Sequence, residues 1–275
     1  MNPHASYSLS PVNIFTSLTH HYQLIWQMSK REVVGRYKGS ILGLTWSFFN
    51  PLLMLVIYTI VFNTIFKSRW DSASESRTEF ALVLFVGMII HGILAEVLTR
   101  TPVLIVANVN YVKKVVFPLE ILPWIMMGSN LFHALISIVV WLLIYLIANH
   151  HIQWTVIFLP ILVFPLLLFA MGLSWFLASL GVYIRDTSQV TAVIASIMMF
   201  LSPVFYPVSR LPEPYQIWLY LNPTTFIIEA ARDVLIWGRL PDFNGLIIYY
   251  TVSIMVVWLG YIWFQKTRRG FADVL

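Results

Sequence analysis

The sequence predicts an all-α polytopic membrane protein with six transmembrane helices, and three observations carry that prediction. Of its 275 residues 59% are apolar and only 11% charged, whereas a soluble domain carries about 25% charge. The apolar residues fall in runs of spanning length, since a helix needs about 20 of them to cross ~30 Å of hydrocarbon. Those runs lack the alternation over about ten residues that a barrel strand shows, so each is read as a helix, in which every backbone group pairs internally.

Residues 1–43 form the first region, a cytoplasmic N-terminus followed by an amphipathic interface helix. Residues 12–38 repeat apolar side chains every three or four positions and carry Lys30, Arg31, Arg36 and Lys38, the pattern of a helix lying along an anionic bilayer surface. A Gly- and Asn-Pro-punctuated junction then feeds into residues 52–66, which hold no charge. The transmembrane domain, residues 44–264, contains spans at about 44–66, 80–99, 121–148, 156–183, 191–207 and 245–264. The fifth is short and ends in prolines. Residues 265–275 are a short cytoplasmic tail.

Orientation follows from the basic residues. With the N-terminus inside, 11 of the 17 lysines and arginines flank cytoplasmic ends, which places both termini in the cytoplasm. The first twenty residues lack an apolar core and are not expected to be a cleaved signal. The charge is scattered over membrane flanks and forms no nucleic-acid-binding stripe. With no cysteine, disulfides and thiol chemistry are excluded.

Three connections are more than linkers. Residues 101–119 are amphipathic, carry Lys113 and Lys114, and suit a short helix lying flat beneath the membrane or a simple positive-inside anchor. The turn Tyr183-Ile184-Arg185-Asp186 joins the fourth and fifth spans, and both charges have structural explanations. Asp186 is positioned to cap the next helix, and Arg185 sits at the end of the preceding one. The external region at about 207–241 contains Pro207, Pro212, Pro214, Pro223 and Pro241. They divide it into a helix near 212–220 and a second with Asn222 as N-cap, Pro223 at its first position and Gly238 as its stop. The second is apolar but too short to span and bears Glu229, Arg232 and Asp233, so a re-entrant pair is expected, supported by protein or a water-filled cavity.

Aromatic residues recur at helical spacing. Phe48, Leu52, Leu55, Thr59, Phe62 and Phe66 share a face of the first span, with Tyr58, Phe62 and Phe66 spaced by four. Phe200, Phe205 and Tyr206 cluster at the end of the fifth. Such rings can stack on the C–H faces of sugars, or can serve helix packing and interfacial belts. Ala170, Ser174 and Ala178 form a small-residue stripe that predicts close helix packing. Catalytic constellations are thin. His20-His21 and His150-His151 diverge on a helix and do not suggest a metal. His91, His133 and Glu96 are intramembrane ionisable groups, as hydrogen-bonded core residues or as a proton relay. No GxxxxGK[ST] phosphate loop is present.

The segments RYKGSILGLTWSFFNPLLMLVIYTIVFNTIF from Arg36, VKKVVFPLEILP from Val112, VYIRD from Val182, SPVFYP from Ser202 and LNPTTFIIEAARD from Leu221 together resemble the permease subunits of type-2 ABC exporters. The branch they resemble exports O-antigen, capsule and teichoic-acid polysaccharides. The likeness runs in unbroken order from about Lys30 to the C-terminus. Leu119 departs from it, since relatives often have a basic residue there, which leaves no specific ion pair to assign at that point.

The resemblance implies an inner-membrane permease moving an undecaprenyl-pyrophosphate-linked glycan outward. Two copies would work with two copies of a separate ATPase, which binds ATP and Mg; this chain itself would hold no cofactor or metal and catalyse nothing. By position, Arg36 and Lys38 fall where the pyrophosphate head group would come in. Phe48, Tyr58, Phe62, Phe66, Phe200, Phe205 and Tyr206 fall on the conduit. Lys113, Lys114, Arg185 and Asp186 fall in the ATPase-coupling regions, and Pro223, Glu229 and Arg232 in the external gate. The alternatives are a type-2 permease for a drug or lipid, and a membrane-embedded glycosyl- or acyltransferase, for which no cluster of carboxylates or His-Asp pair is found.

Overall fold

A computed structural model describes residues 10, 12–61, 77–113 and 117–275, and the described residues form helices and turns with no strand. The N-terminal amphipathic stretch is two helices, α1 (Val12–His20) and α2 (Tyr22–Arg36), broken at His21. Then come α3 (Trp46–Ile60) and α4 (Arg77–Arg100). The short pieces α5 (Leu104–Ala107) and α6 (Val109–Lys113) follow, where one flat helix was expected. The remainder is α7 (Leu122–Asn149), α8 (Leu159–Tyr183), α9 (Thr187–Phe200), α10 (Glu213–Tyr220), α11 (Pro223–Arg232), α12 (Phe243–Thr267) and the terminal turn α13 (Phe271–Val274).

Five helical stretches among the described residues are long and apolar enough to cross a membrane: Gly43–Ile60, Glu79–Ala107, Leu119–Asn149, Trp154–Tyr183 and Phe243–Val274. The sequence expectation for the fifth span, residues 191–207, meets a different object. Helix α9 begins at Thr187 but stops at Phe200, so its 14 residues rise only ~21 Å at ~1.5 Å each. The chain from Leu201 to Tyr206 is irregular turn. Hydropathy continues through this segment; the helical hydrogen-bond ladder does not.

Helix α4 is the central post. Leu82, Val83, Leu84, Val86, Ile90, Ile93, Leu94 and Val97 are all at most 2% exposed, and α4 touches α3, α7, α8, α9 and α11. Lipid tails are as apolar as leucine, so what holds these helices together is packing and interhelical hydrogen bonding. The Trp141 indole N–H donates to Leu82 O at 2.9 Å, and the Asn130 amide donates to Ile93 O at 2.8 Å. Helices α8 and α12 form the closest pair. A Cβ at Gly172 would stand 2.3 Å from Val256 O, and one at Gly260 would stand 2.0 Å from Gly172 O. The predicted stripe Ala170, Ser174 and Ala178 is fully buried on the same helix, as close packing requires.

Helix α2 and the C-terminal tail gather at one face of the bundle. Ser29 of α2 donates to Ile125 O of α7 at 3.1 Å. Near the C-terminus, Arg268 pairs with Glu120 at 2.7 Å with both side chains nearly buried, and Phe271 is completely buried. Helices α10 and α11 lie toward the opposite face. Asn222 caps α11 as expected, accepting from Thr224 N at 3.1 Å, and Gly238 ends the following turn at φ 65°. Asp186 does not cap α9 with its side chain. Instead the Thr187 hydroxyl donates back to Ile184 O at 2.7 Å.

Candidate functional site

A cleft of about 350 Å³ runs along α3, between it and helices α4 and α7. It is polar along one wall. Asn130, His133 and Ser137 of α7 line it at helical spacing, facing Ser47, Asn50 and Tyr58 of α3. Its floor is the junction between the end of α2 and α4, where Arg36 is ion-paired with Glu96. Glu96 also holds Arg100 at 2.6 Å, and Arg100 is paired in turn with Glu32. The two arginines and two glutamates alternate, so the charges are largely balanced within the cluster. Lys38 is exposed and makes no ion pair among the described residues. The predicted head-group residues therefore differ in kind: Arg36 is held by a carboxylate at the cleft, while Lys38 stands in the open.

His133 sits above this cluster. Its Nδ1 is 3.4 Å from the Tyr37 hydroxyl, and its Nε2 is buried without a hydrogen-bond partner. His91 is buried, and its Nδ1 too has no partner. Buried polar atoms are normally paired, and these two imidazole nitrogens are exceptions to that rule. The sequence did contain signals for this site. Glu96 and Arg100 stand at i, i+4, a stabilising spacing, and Asn130, His133 and Ser137 mark one polar stripe on an otherwise apolar span.

The predicted conduit residues separate into two groups. Phe48 is exposed and Tyr58 is half-buried at the cleft, 6.5 Å from the Phe85 ring. Leu55, expected on the face of Phe48, is in the core at 3% exposure, so that row is not one uniform surface. Phe62 and Phe66 lie outside the described residues. At the far end of α9, Phe200 is exposed and stacks on Phe205 at 5.9 Å, and the Tyr206 hydroxyl donates to Phe200 O at 2.8 Å. These three form a single aromatic knot.

The residues predicted for the gate lie on one helix, Pro223 at its start and Glu229 and Arg232 at its end. Pro223 opens α11, and Glu229 accepts from Arg232 at 2.8 Å. Arg232 is not a surface charge: it is 0% exposed.

The two predicted coupling regions, separate in sequence, adjoin in space. Lys113, Arg185 and Asp186 are exposed; Lys114 lies outside the described residues. A Cβ at Gly181 would stand 1.8 Å from Pro102 O, and Thr101 and Ser174 hydroxyls are 3.3 Å apart. The connection after α4 is thus pressed onto the end of α8 just before the Tyr183–Asp186 turn. The C-terminal tail closes the group, since the Tyr183 hydroxyl donates to Thr267 O at 2.6 Å. From the other side, Arg31 of α2 donates to the Tyr111 hydroxyl of α6 at 3.2 Å.

Comparison with known proteins agrees with this architecture. The family profile described as ABC-2 type transporter matches residues 23–236. The O-antigen export system permease protein RfbA of Myxococcus xanthus is 25% identical over 264 residues, which cover 95% of this chain and 99% of that protein. Its namesake in Klebsiella pneumoniae is 25% identical, covering 94% and 97%. The polysialic acid transport protein KpsM of Escherichia coli is 23% identical, covering 82% and 87%.

Proposed function

The chain belongs to the ABC-2 type transporter family, and from that premise we propose that it is the permease subunit of a bacterial inner-membrane exporter for a lipid-linked polysaccharide such as O-antigen. The relatives named for O-antigen and polysialic acid transport support this substrate class along nearly their whole length. The observation that carries the proposal is the cleft beside α3. It joins an arginine-containing polar floor to a wall of hydroxyl, amide and aromatic groups, which suits a phosphate-bearing head followed by sugars.

In the full proposal both termini are cytoplasmic, as is the face holding α2 and the C-terminal tail. Helix α9 and the turn after it make the sixth crossing, with α10 and α11 dipping back into the membrane as a re-entrant pair. Arg36 and Lys38 receive the pyrophosphate of an undecaprenyl carrier, with Arg36 exchanging its Glu96 partner for phosphate oxygens. Phe48, Tyr58, Phe62, Phe66, Phe200, Phe205 and Tyr206 line the glycan path. Two copies of the chain enclose it. Two copies of a separate ATPase, holding ATP and Mg, dock on the region around Lys113, Lys114, Arg185 and Asp186, and Pro223, Glu229 and Arg232 belong to the outer gate.

The test is ATP-dependent transport by the chain together with its ATPase in inverted membrane vesicles, using a lipid-linked glycan as substrate. Accumulation inside the vesicles that needs both subunits supports the proposal. Equal accumulation without this chain overturns it.

A further inference from the structure

We propose that Asn222 and Arg232 are positioning residues that splint the broken end of α9 onto α11, so that the outer aromatic knot, α11 and the outer part of α4 move as one body during transport. This rests on the permease reading above.

The argument begins with a deficit. A helix leaves its last four carbonyls without intrahelical partners, and lipid offers them no water to pair with. Helix α9 stops at Phe200 and the irregular turn behind it adds more carbonyls that no ladder serves. Their partners can be counted. Leu201 N serves Ile197 O at 2.9 Å, the Ser202 hydroxyl serves Met199 O at 3.0 Å, and the Tyr206 hydroxyl serves Phe200 O at 2.8 Å. The others come from α11. The Asn222 amide donates to Met198 O at 2.9 Å and to Leu201 O at 3.2 Å. The Arg232 guanidinium donates to Pro203 O at 2.5 Å and to Val204 O at 3.1 Å.

The two ends of one short helix therefore grip two successive stretches of the same broken end. Both gripping side chains are buried, Asn222 at 8% and Arg232 at 0% exposure. Arg232 Nε also donates to Val83 O of α4 at 3.1 Å. Gly87 permits the approach, because a Cβ there would lie 2.9 Å from Arg232 Nη2 and 3.2 Å from Val204 Cα. Sliding α11 against the end of α9 would break four hydrogen bonds together, the two from Arg232 buried and the two from Asn222 partly so; moving both as a unit breaks none of them. Packed bistable elements move in just such rigid bodies.

The chain has no cysteine, so an introduced pair gives one defined bridge. Val204→Cys with Ile228→Cys places one thiol in the turn after α9 and one on α11, both beside Gly87. The assembled permease and ATPase are compared in inverted vesicles before and after bridging with a disulfide or a short bis-thiol reagent, so any folding cost of the substitutions is common to both. Export that continues after bridging is the expected result. Export that stops while ATP hydrolysis continues shows that α11 must slide against α9, and overturns the proposal.

The second arm is Asn222→Asp. It keeps the acceptor that caps α11 at Thr224 but removes both donors to α9. Fewer glycans exported per ATP hydrolysed are expected, with restoration in the bridged form of the triple variant. Unchanged coupling in Asn222→Asp overturns the splint, because a pure capping role predicts that result. Absence of ATP-dependent export in the parent complex would instead count against the permease reading.

Discussion

Arg36 meets Glu96 before it meets any substrate, and that single pair changes what mutation of the floor should do. Replacing Glu96 with Gln leaves Arg36 and Arg100 without their shared carboxylate. Charge-assisted hydrogen bonds contribute about 1.5–3 kcal/mol each, so binding of a short pyrophosphate lipid should tighten by about tenfold or more, measured by direct titration of the purified complex. Arg36→Ala with Lys38→Ala should weaken export and leave assembly intact; normal export would return both residues to the role of surface anchors. The charges of this cluster were visible in the sequence, but their partnership was only half so. Glu96 and Arg100 are one helical turn apart, whereas the Arg100–Glu32 and Arg36–Glu96 pairs join residues separated by 68 and 60 positions, and nothing local encodes that distance.

Helix existence was legible wherever apolar runs are long, and helix ends were legible where a local signal stops them. Asn222-Pro223 and Gly238 marked the ends of the α11 region because capping and left-handed backbone are properties of neighbouring residues. The end of α9 was not legible. Hydropathy carried the predicted span to residue 207, while the actual stop at Phe200 is stabilised by donors on α11, more than twenty positions further along. The glycine contacts between α8 and α12 were similarly hidden, since a lone Gly172 and a lone Gly260 announce nothing until the helices cross. Their substitution is a direct test of packing. Gly172→Leu or Gly260→Leu forces a side chain into a neighbouring backbone, where overpacking costs about 1–3 kcal/mol or more. Either should lower the yield of folded protein in detergent, read by size-exclusion profile and thermal melting. The aromatic knot should behave in the opposite way. Phe200 is exposed, so Phe200→Ala should lower export of glycan while the complex assembles and hydrolyses ATP; loss of assembly would assign the ring to a helix interface instead.

The whole molecule is arranged around contrast between its two faces. One gathers α2, the connection after α4, the Tyr183–Asp186 turn and the C-terminal tail into a group tied by Arg31–Tyr111, Arg268–Glu120 and Tyr183–Thr267. The other carries the splinted end of α9. Between them the α3 cleft offers a polar wall within an apolar bundle. Family membership follows from the match over residues 23–236, and the ordered motifs of the sequence already pointed there; the dimer and the separate ATPase belong to the proposal. No phosphate loop occurs in the sequence, and the proposal accordingly assigns ATP hydrolysis to a separate subunit. The most direct measurement is therefore ATP hydrolysis and lipid-linked glycan transport in one reconstituted preparation, with this chain alone, its ATPase alone, and both together. The account predicts glycan movement only when both are present, with no hydrolysis by this chain by itself. Hydrolysis by the isolated chain at the rate of the complex, or glycan movement that does not require it, would contradict the account.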